Sequence, residues 1–139
     1  MSKVQGKQIN PVFIDDLSAP TVTADVKHFV IKHPDPSKTG VLVHTCIEGP
    51  ENGVYARGKS KGNIITLPDY WKYLVDENTI TVNLTPINRP LDLYIKNINS
   101  ETIEIGCKDE FIALDSLEFF WIAYATRKDV PVLIIEQKK

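Results

Sequence analysis

Hydrophobic and polar residues alternate along most of this chain, and the alternation predicts short β-strands joined by turns. The pattern is clearest in residues 79–85, where Ile80, Val82 and Leu84 share one face while threonine and asparagine occupy the other. Comparable runs recur at intervals of about 8–12 residues, the spacing of an antiparallel all-β domain. The sequence therefore predicts an all-β fold, a single antiparallel β-sandwich or jelly-roll-like domain over residues 25–139.

One short helix is predicted to interrupt the strands near residues 69–75. Pro68 ends the preceding strand because proline has no backbone N–H to donate to a sheet. Asp69 is in position to cap the N-terminus of the helix. The helical residues are Tyr70, Trp71, Tyr73 and Leu74.

Four further segments have a clear local interpretation. Asn-Gly at 52–53 is a strong cue for a β-hairpin, and the K-S-K-G run at 59–62 predicts another turn. Residues 117–126 form the most apolar strand, and near-continuous hydrophobicity of this kind predicts burial on both faces. V-P-V-L-I-I-E at 130–136 is predicted to be the last strand.

Residues 1–24 lack the alternating pattern and are predicted to form an extended N-terminal arm. Proline and polar residues separate the apolar ones, so no strand or helix period is sustained. Two interpretations remain open: a flexible leader, and an attachment peptide that becomes ordered by docking on another subunit. The candidate docking residues are Val4, Ile9, Val12, Phe13 and Ile14.

Composition and charge narrow the range of partners. The 139 residues carry 16 Lys and Arg against 18 Asp and Glu, and a net charge of -2 does not favour nucleic-acid binding. No apolar run approaches the ~20 residues that span a bilayer, and the N-terminus lacks the apolar segment of a signal peptide. We therefore expect synthesis in a cytoplasm and no membrane insertion. In that reducing compartment Cys46 and Cys107 are predicted to be buried free thiols.

Residues suited to catalysis or metal binding are few and poorly spaced. His28, His33 and His44 lack the His and Cys spacing typical of a zinc site, and no serine lies in a G-x-S-x-G motif. G-K-S-K-G at 58–62 lacks the spacing of a phosphate-binding loop. The sequence predicts a protein that is not an enzyme and has no cofactor or metal; a small hydrolase built on the three histidines is the weaker alternative.

Two aromatic clusters, in residues 70–73 and 119–124, remain as candidates for a binding surface. Core packing accounts for both, since each lies among leucine, valine and isoleucine. The alternative is an exposed platform that stacks on sugar rings. Trp71 is the candidate glycan contact, because on a short helix it cannot share a face with both Tyr70 and Tyr73.

A series of short motifs extends over about residues 29–129. The motifs are F-V-I-K-H-P-D-P-S-K-T at 29–39, V-H-T-C-I-E-G-P at 43–50, V-Y-A-R-G at 54–58, N-I-I-T-L-P-D-Y-W-K-Y-L at 63–74, L-T-P at 84–86 and W-I-A-Y-A-T-R-K-D at 121–129. Together the motifs resemble the C-terminal-type β domain of tail-fibre and other virion structural proteins of tailed bacteriophages. The positions that match the pattern of this family are His33-Pro34, His44 with Glu48 and Pro50, Tyr55, and Leu67-Pro68-Asp69-Tyr70.

The resemblance implies a component of the virion. Family members usually form the distal part of tail or neck fibres and assemble as trimers, which bury apolar strand faces between subunits. The 139 residues depart from that pattern, because they contain no fibrous shaft, no collagen-like repeat and no chaperone domain after Asp129. We expect a small homotrimeric structural protein that contacts other tail, neck, baseplate or capsid proteins and contributes to host adsorption. A carbohydrate-binding module that recognises host surface glycans through loop aromatics is the alternative.

Overall fold

Two three-stranded sheets and a separate two-stranded hairpin form the fold in the computed structural model, which describes residues 28–136. The strands are β1 (His28–Lys32), β2 (Val41–Thr45), β3 (Gly53–Lys61), β4 (Ile64–Thr66), β5 (Thr81–Pro86), β6 (Leu93–Ile98), β7 (Thr102–Cys107) and β8 (Glu118–Thr126). The hairpin pairs β1 with β2, and the sheets have the orders β3–β8–β5 and β4–β7–β6. Every strand pair is antiparallel. The predicted all-β fold is confirmed.

The two three-stranded sheets bury their inner faces in one shared hydrophobic core. Val54 and Phe119 enter it from the first sheet, and Ile65, Ile103 and Ile105 enter it from the second. The alternation predicted for β5 and β7 is confirmed. In β5 every second residue is more buried than its neighbours. At the start of β7, buried isoleucines alternate with half-buried polar residues. The hairpin adds Phe29, Ile31 and Leu42, which are half-buried and pack against the same core.

The short helix α1 (Trp71–Leu74) links β4 to β5 across one end of this core. The Trp71 N–H donates to the Pro68 carbonyl over 2.8 Å, so the chain turns into the helix directly after the proline. Asp69 does not cap the helix: the cap position is Tyr70, and no side chain accepts a hydrogen bond there. A backbone turn supplied by Pro68 therefore replaces the predicted carboxylate cap.

Several local predictions are wrong, and each has an identifiable cause. Asn-Gly at 52–53 does not form a hairpin, because β2 and β3 belong to different sheets and Gly53 is the first residue of β3. Lys59–Lys61 continue β3, and the turn comes at Gly62, whose φ of 89° favours glycine. Residues 130–136 form no strand in the described part of the chain, and they are mostly exposed. Their hydrophobicity alone did not specify pairing.

The prediction for the cysteines is confirmed in part. Both Cys46 and Cys107 are free thiols, but Cys46 is exposed immediately after β2 and Cys107 is only half-buried at the end of β7. The predicted N-terminal arm, including its candidate docking residues Val4, Ile9, Val12, Phe13 and Ile14, lies outside the described residues.

Candidate functional site

The outer face of the β3–β8–β5 sheet carries the main candidate surface. Strand register places three residues of each strand there in rows of three. Each row has a β8 residue flanked by one residue of β3 and one of β5. The nine residues of this outer sheet face are Tyr55, Arg57 and Lys59 on β3, Phe120, Ile122 and Tyr124 on β8, and Thr81, Asn83 and Thr85 on β5.

The central strand of the outer sheet face is apolar although it faces away from the core. β8 was predicted to be buried on both faces, and this prediction is wrong, since the side chains of Phe120 and Tyr124 are 54% and 41% exposed. Of the inner positions, Phe119, Ala123 and Ala125 are buried and Trp121 is partly buried against the core. An apolar stripe on the outer side of a central strand is the kind of exposed patch that marks a binding surface.

The flanking strands give the outer sheet face two different chemical edges. On β3, Arg57 and Lys59 contribute positive charge, and Lys59 lies 3.7 Å from the Glu118 carboxylate. On β5, Asn83 and Thr85 contribute an amide and a hydroxyl. Between these edges lies an open groove of about 480 Å³. The β8 side chains form an apolar floor. The wall on the β3 side is cationic, and the wall on the β5 side is polar but uncharged.

On the inner side of the same sheet, a tryptophan of β8 packs across β3. The Trp121 indole N–H donates to the Ser60 hydroxyl over 3.0 Å. Its ring lies so close to Gly58 that an added Cβ would approach the Trp121 Cζ2 atom to 3.1 Å. Glycine at 58 therefore lets the indole lie flat across β3, and this contact fixes the position of β3 relative to β8 below the cationic edge.

A second cluster of polar and aromatic side chains lies between the hairpin and the rest of the domain. The His44 Nε2 atom is 3.0 Å from the Tyr70 hydroxyl. The His44 ring also packs against the Phe29 ring, with 4.9 Å between the ring centres. The Arg127 guanidinium lies 4.3 Å from the centre of the Phe29 ring and donates two hydrogen bonds to the Asp129 carboxylate, at 2.8 and 2.7 Å. This hairpin cluster joins residues that are far apart in sequence.

Burial gives two members of the hairpin cluster shifted ionisation. Desolvation lowers the pKa of His44 below its ordinary value, and the nearby Arg127 charge lowers it further. Burial likewise raises the pKa of Tyr70. Both shifts favour the neutral form of the side chain, which suits a cluster that holds two elements together.

The other histidines that the sequence offered for chemistry lie in β1 and in the loop after it. The His33 Nδ1 atom accepts a hydrogen bond from the Asp35 N–H inside the β1–β2 loop, and His28 is at the start of β1. Within residues 28–136 no group of three His, Cys, Asp or Glu side chains is arranged to hold a metal ion.

Trp71, the predicted glycan contact, is buried. Its side chain is 0% exposed and belongs to the core together with Leu74 and Val75. The prediction placed Trp71 on the exposed side of α1, whereas the helix turns this side into the core and leaves Lys72 exposed. Exposed aromatics lie elsewhere: Tyr55, Phe120 and Tyr124 on the outer sheet face, Tyr94 on β6 and Phe111 in the loop after β7.

A third surface is the outer side of the hairpin. Val30, Val41 and Val43 point away from the core, and Val30 is 58% exposed. Val30 and Val43 are directly paired across the two strands. We refer to these three residues as the hairpin valines.

Comparisons with protein-family models, with curated proteins and with solved structures find no match to this chain. Helix α1 has only four residues, and none of the helical segments in residues 28–136 has the length and apolar character needed to cross a membrane.

Proposed function

We propose that this protein is a non-enzymatic structural component of a bacteriophage virion, associated with the tail, its fibres or the baseplate, and that it assembles as a homotrimer. The observation that carries the proposal is the cluster of exposed valines on the hairpin. The inner residues of the hairpin pack against the core, while the hairpin valines are exposed on the outer side beside His28, Lys32 and Thr45. An exposed apolar patch of this kind is a candidate contact surface.

A two-stranded sheet is only marginally stable by itself, which supports a subunit interface at this position. Burial of apolar surface contributes about 25 cal/mol per Å², so covering the hairpin valines by a neighbouring subunit stabilises both the hairpin and the assembly. Closed symmetric oligomers are the usual result when one surface is complementary to another on an identical chain. The trimeric state comes from the resemblance to phage fibre domains.

The positions of the family motifs give the resemblance a physical basis. His44 of the H-x-x-x-E-x-P motif contacts Tyr70 of the L-P-D-Y motif, and Arg127 and Asp129 of the R-K-D run bind each other. Arg127 also stacks on Phe29, which begins the first motif. Motifs separated by up to about 100 residues thus meet in one cluster that holds the hairpin.

Carbohydrate recognition is the second candidate function, and one observation favours it. The outer sheet face exposes aromatic and aliphatic side chains beside amide, hydroxyl and cationic groups. Sugar rings present apolar C–H faces with polar edges, and the same combination is found on this surface. A tail-associated protein with such a surface contributes to host adsorption as well as to assembly.

Quantitative mass spectrometry of phage particles tests the virion proposal. Particles are purified from cells that produce this chain, and host cytoplasmic proteins serve as the carry-over control. The expected result is that the chain co-purifies with intact tailed particles in a copy number divisible by three. Its recovery only in the soluble fraction, at the carry-over level, would overturn the proposal.

A further inference from the structure

We propose that the outer sheet face is a binding site for an acidic oligosaccharide, with one sugar ring seated on Phe120 and Ile122 and its carboxylate directed toward Arg57 and Lys59. The proposal rests on the second candidate function, and it names both the site and the ligand class. It differs from the glycan site predicted from the sequence, because Trp71 is in the core.

Charge gives the first argument for an anionic ligand. The β3 edge of the face carries Arg57 and Lys59, and Lys61 continues the same side of the strand, where the register pairs it with Glu118 of β8. The outward positions of β5 are threonine and asparagine, without an acidic residue. Glu118 also lies 3.7 Å from Lys59. Arg57 forms no ion pair within residues 28–136, so its charge is available. A planar guanidinium binds a carboxylate through two parallel hydrogen bonds.

The floor and the opposite wall give the second argument, which favours a sugar. Phe120 lies between Lys59 and Thr85, and Ile122 lies between Arg57 and Asn83. A ring that rests its C–H face on this floor places its hydroxyl groups toward the Asn83 amide and the Thr85 hydroxyl. Specific small-molecule sites combine a mainly apolar surface with a few directed polar groups in the same way.

The size of the groove is consistent with a short saccharide. Its volume of about 480 Å³ is within the range of about 300–1,000 Å³ typical of ligand sites. The adjoining row of Tyr55, Tyr124 and Thr81 extends the surface along β8, with the two tyrosine rings 6.1 Å apart. A second sugar unit therefore finds another aromatic platform next to the first.

The alternatives to an acidic sugar fit less well. Single-stranded nucleic acid also uses aromatic platforms and cations, but the chain has 18 acidic against 16 basic residues, and long polyanions respond to the field of the whole protein. A second copy of the chain is the other occupant of an apolar sheet face. The cationic edge argues against it, because charged residues are depleted at the centre of subunit interfaces.

The test uses the full chain and NMR titration with tetragalacturonate. The neutral control ligand is the fully methyl-esterified tetragalacturonate, and a thymidine tetranucleotide tests nucleic-acid binding. The proposal predicts saturable shifts of β3, β5 and β8 amides with tetragalacturonate, weaker binding at high salt, and at least tenfold weaker binding of the ester. Arg57→Gln and Phe120→Ala should each weaken binding by about tenfold. The matched control Lys96→Gln removes a charge from the other sheet and should leave binding unchanged.

The outcomes separate this proposal from the virion proposal. Absence of shifts with tetragalacturonate, equal binding of the ester, or tighter binding of the oligonucleotide would overturn it. Native mass spectrometry of Arg57→Gln and Phe120→Ala provides the second readout: both are expected to keep the assembly state of the wild type. Dissociation of the assembly by these two variants would identify a second copy as the occupant, and would overturn the sugar site while leaving the virion role standing.

Discussion

The His44 Nε2 atom lies 3.0 Å from the Tyr70 hydroxyl, and this contact ties the β1–β2 hairpin to the turn before helix α1. The two residues are 26 positions apart in sequence and belong to two different motifs. The hairpin shares no sheet with the rest of the domain. Its attachment therefore depends on side-chain contacts of this kind.

The Tyr70 hydroxyl is expected to stabilise the docked hairpin. Tyr70→Phe removes the hydroxyl and keeps the ring, and loss of one half-buried hydrogen bond costs about 1 kcal/mol. Amide hydrogen exchange should accelerate in β1 and β2 and remain unchanged in β7. Tyr73→Phe, within helix α1, is the control and should leave the exchange of the hairpin unaltered. Equal protection of the hairpin in both variants would show that the contact does not hold it.

Acidification is expected to weaken the domain through His44. The folded state lowers the pKa of this residue, so the unfolded chain binds more protons once the pH falls below the ordinary histidine value of about 6.5. The domain is therefore most stable above a pH of about 6.5. Its free energy of unfolding declines as the pH falls from there toward the lower pKa of His44 in the folded state. Urea unfolding from pH 7.5 to 5 measures the effect.

His44→Gln provides the comparison for the pH experiment, since glutamine keeps a hydrogen-bonding group that does not titrate in this range. The wild type should lose more stability than the variant between pH 6.5 and 5. All other residues are the same in both proteins, so their effects cancel in the difference. If the free energy of unfolding fell equally with pH in both proteins, His44 would not be responsible for the loss of stability in acid.

The geometry of Arg127 requires arginine. Arg127→Lys keeps the charge but loses the paired hydrogen bonds to Asp129 and the planar stack on Phe29. We expect a loss of about 1–2 kcal/mol in the free energy of unfolding, measured in urea. Arg57→Lys is the matched control on the exposed outer sheet face and should change stability by less than about 0.5 kcal/mol. The same cost at both positions would contradict the stacking account.

Two aromatic residues are expected to differ sharply in their contribution to stability. Trp71→Ala removes a fully buried indole and should destabilise the domain by about 3–5 kcal/mol. Phe120→Ala alters a half-exposed side chain on the outer sheet face, and its cost should be less than about 1 kcal/mol. Denaturant unfolding of both variants measures the difference. If Trp71→Ala were as stable as the wild type, Trp71 could not be a core residue, and its predicted role as an exposed ligand contact would be favoured again.

Gly106 and Tyr94 form a cross-strand pair between β7 and β6, and the tyrosine ring covers the glycine. A Cβ at position 106 would overlap the Tyr94 ring, so Gly106→Ala should cost about 1–3 kcal/mol through overpacking. In a Tyr94→Ala background the same change meets no ring. There it should stabilise the domain by about 0.4–1 kcal/mol, because alanine restricts the unfolded chain. If Gly106→Ala destabilised the domain in both backgrounds, the Tyr94 ring would not be the cause of the cost.

The sequence predicted what depends on local pattern. Alternation identified the buried positions of β5 and β7, including Ile103 and Ile105, because a half-buried strand must place apolar residues at every second position. It did not predict that Phe120 and Tyr124 face outward, since an apolar residue on the outer side of a strand breaks the rule that alternation relies on. That exception marks the candidate binding surface.

Features that depend on distant contacts were not predictable from the chain. Asn-Gly at 52–53 carries a strong local turn signal, but pairing of β3 with β8 overrides it and makes Gly53 the start of a strand. Trp71 was predicted to be exposed from the helix pattern alone. Its burial depends on how the two sheets close over α1. The meeting of Phe29, His44 and Arg127 likewise requires the folded topology.

Native mass spectrometry of the full chain tests the central claim, that the hairpin valines form a subunit interface in a homotrimer. The account predicts a complex of three times the 15.7 kDa chain mass. Val30→Lys and Val43→Lys should dissociate it to folded monomers, with circular dichroism confirming that the fold is kept. Thr66→Lys, which adds the same charge on the other sheet, should leave the trimer intact. A wild-type chain that is monomeric at micromolar concentration would contradict the account.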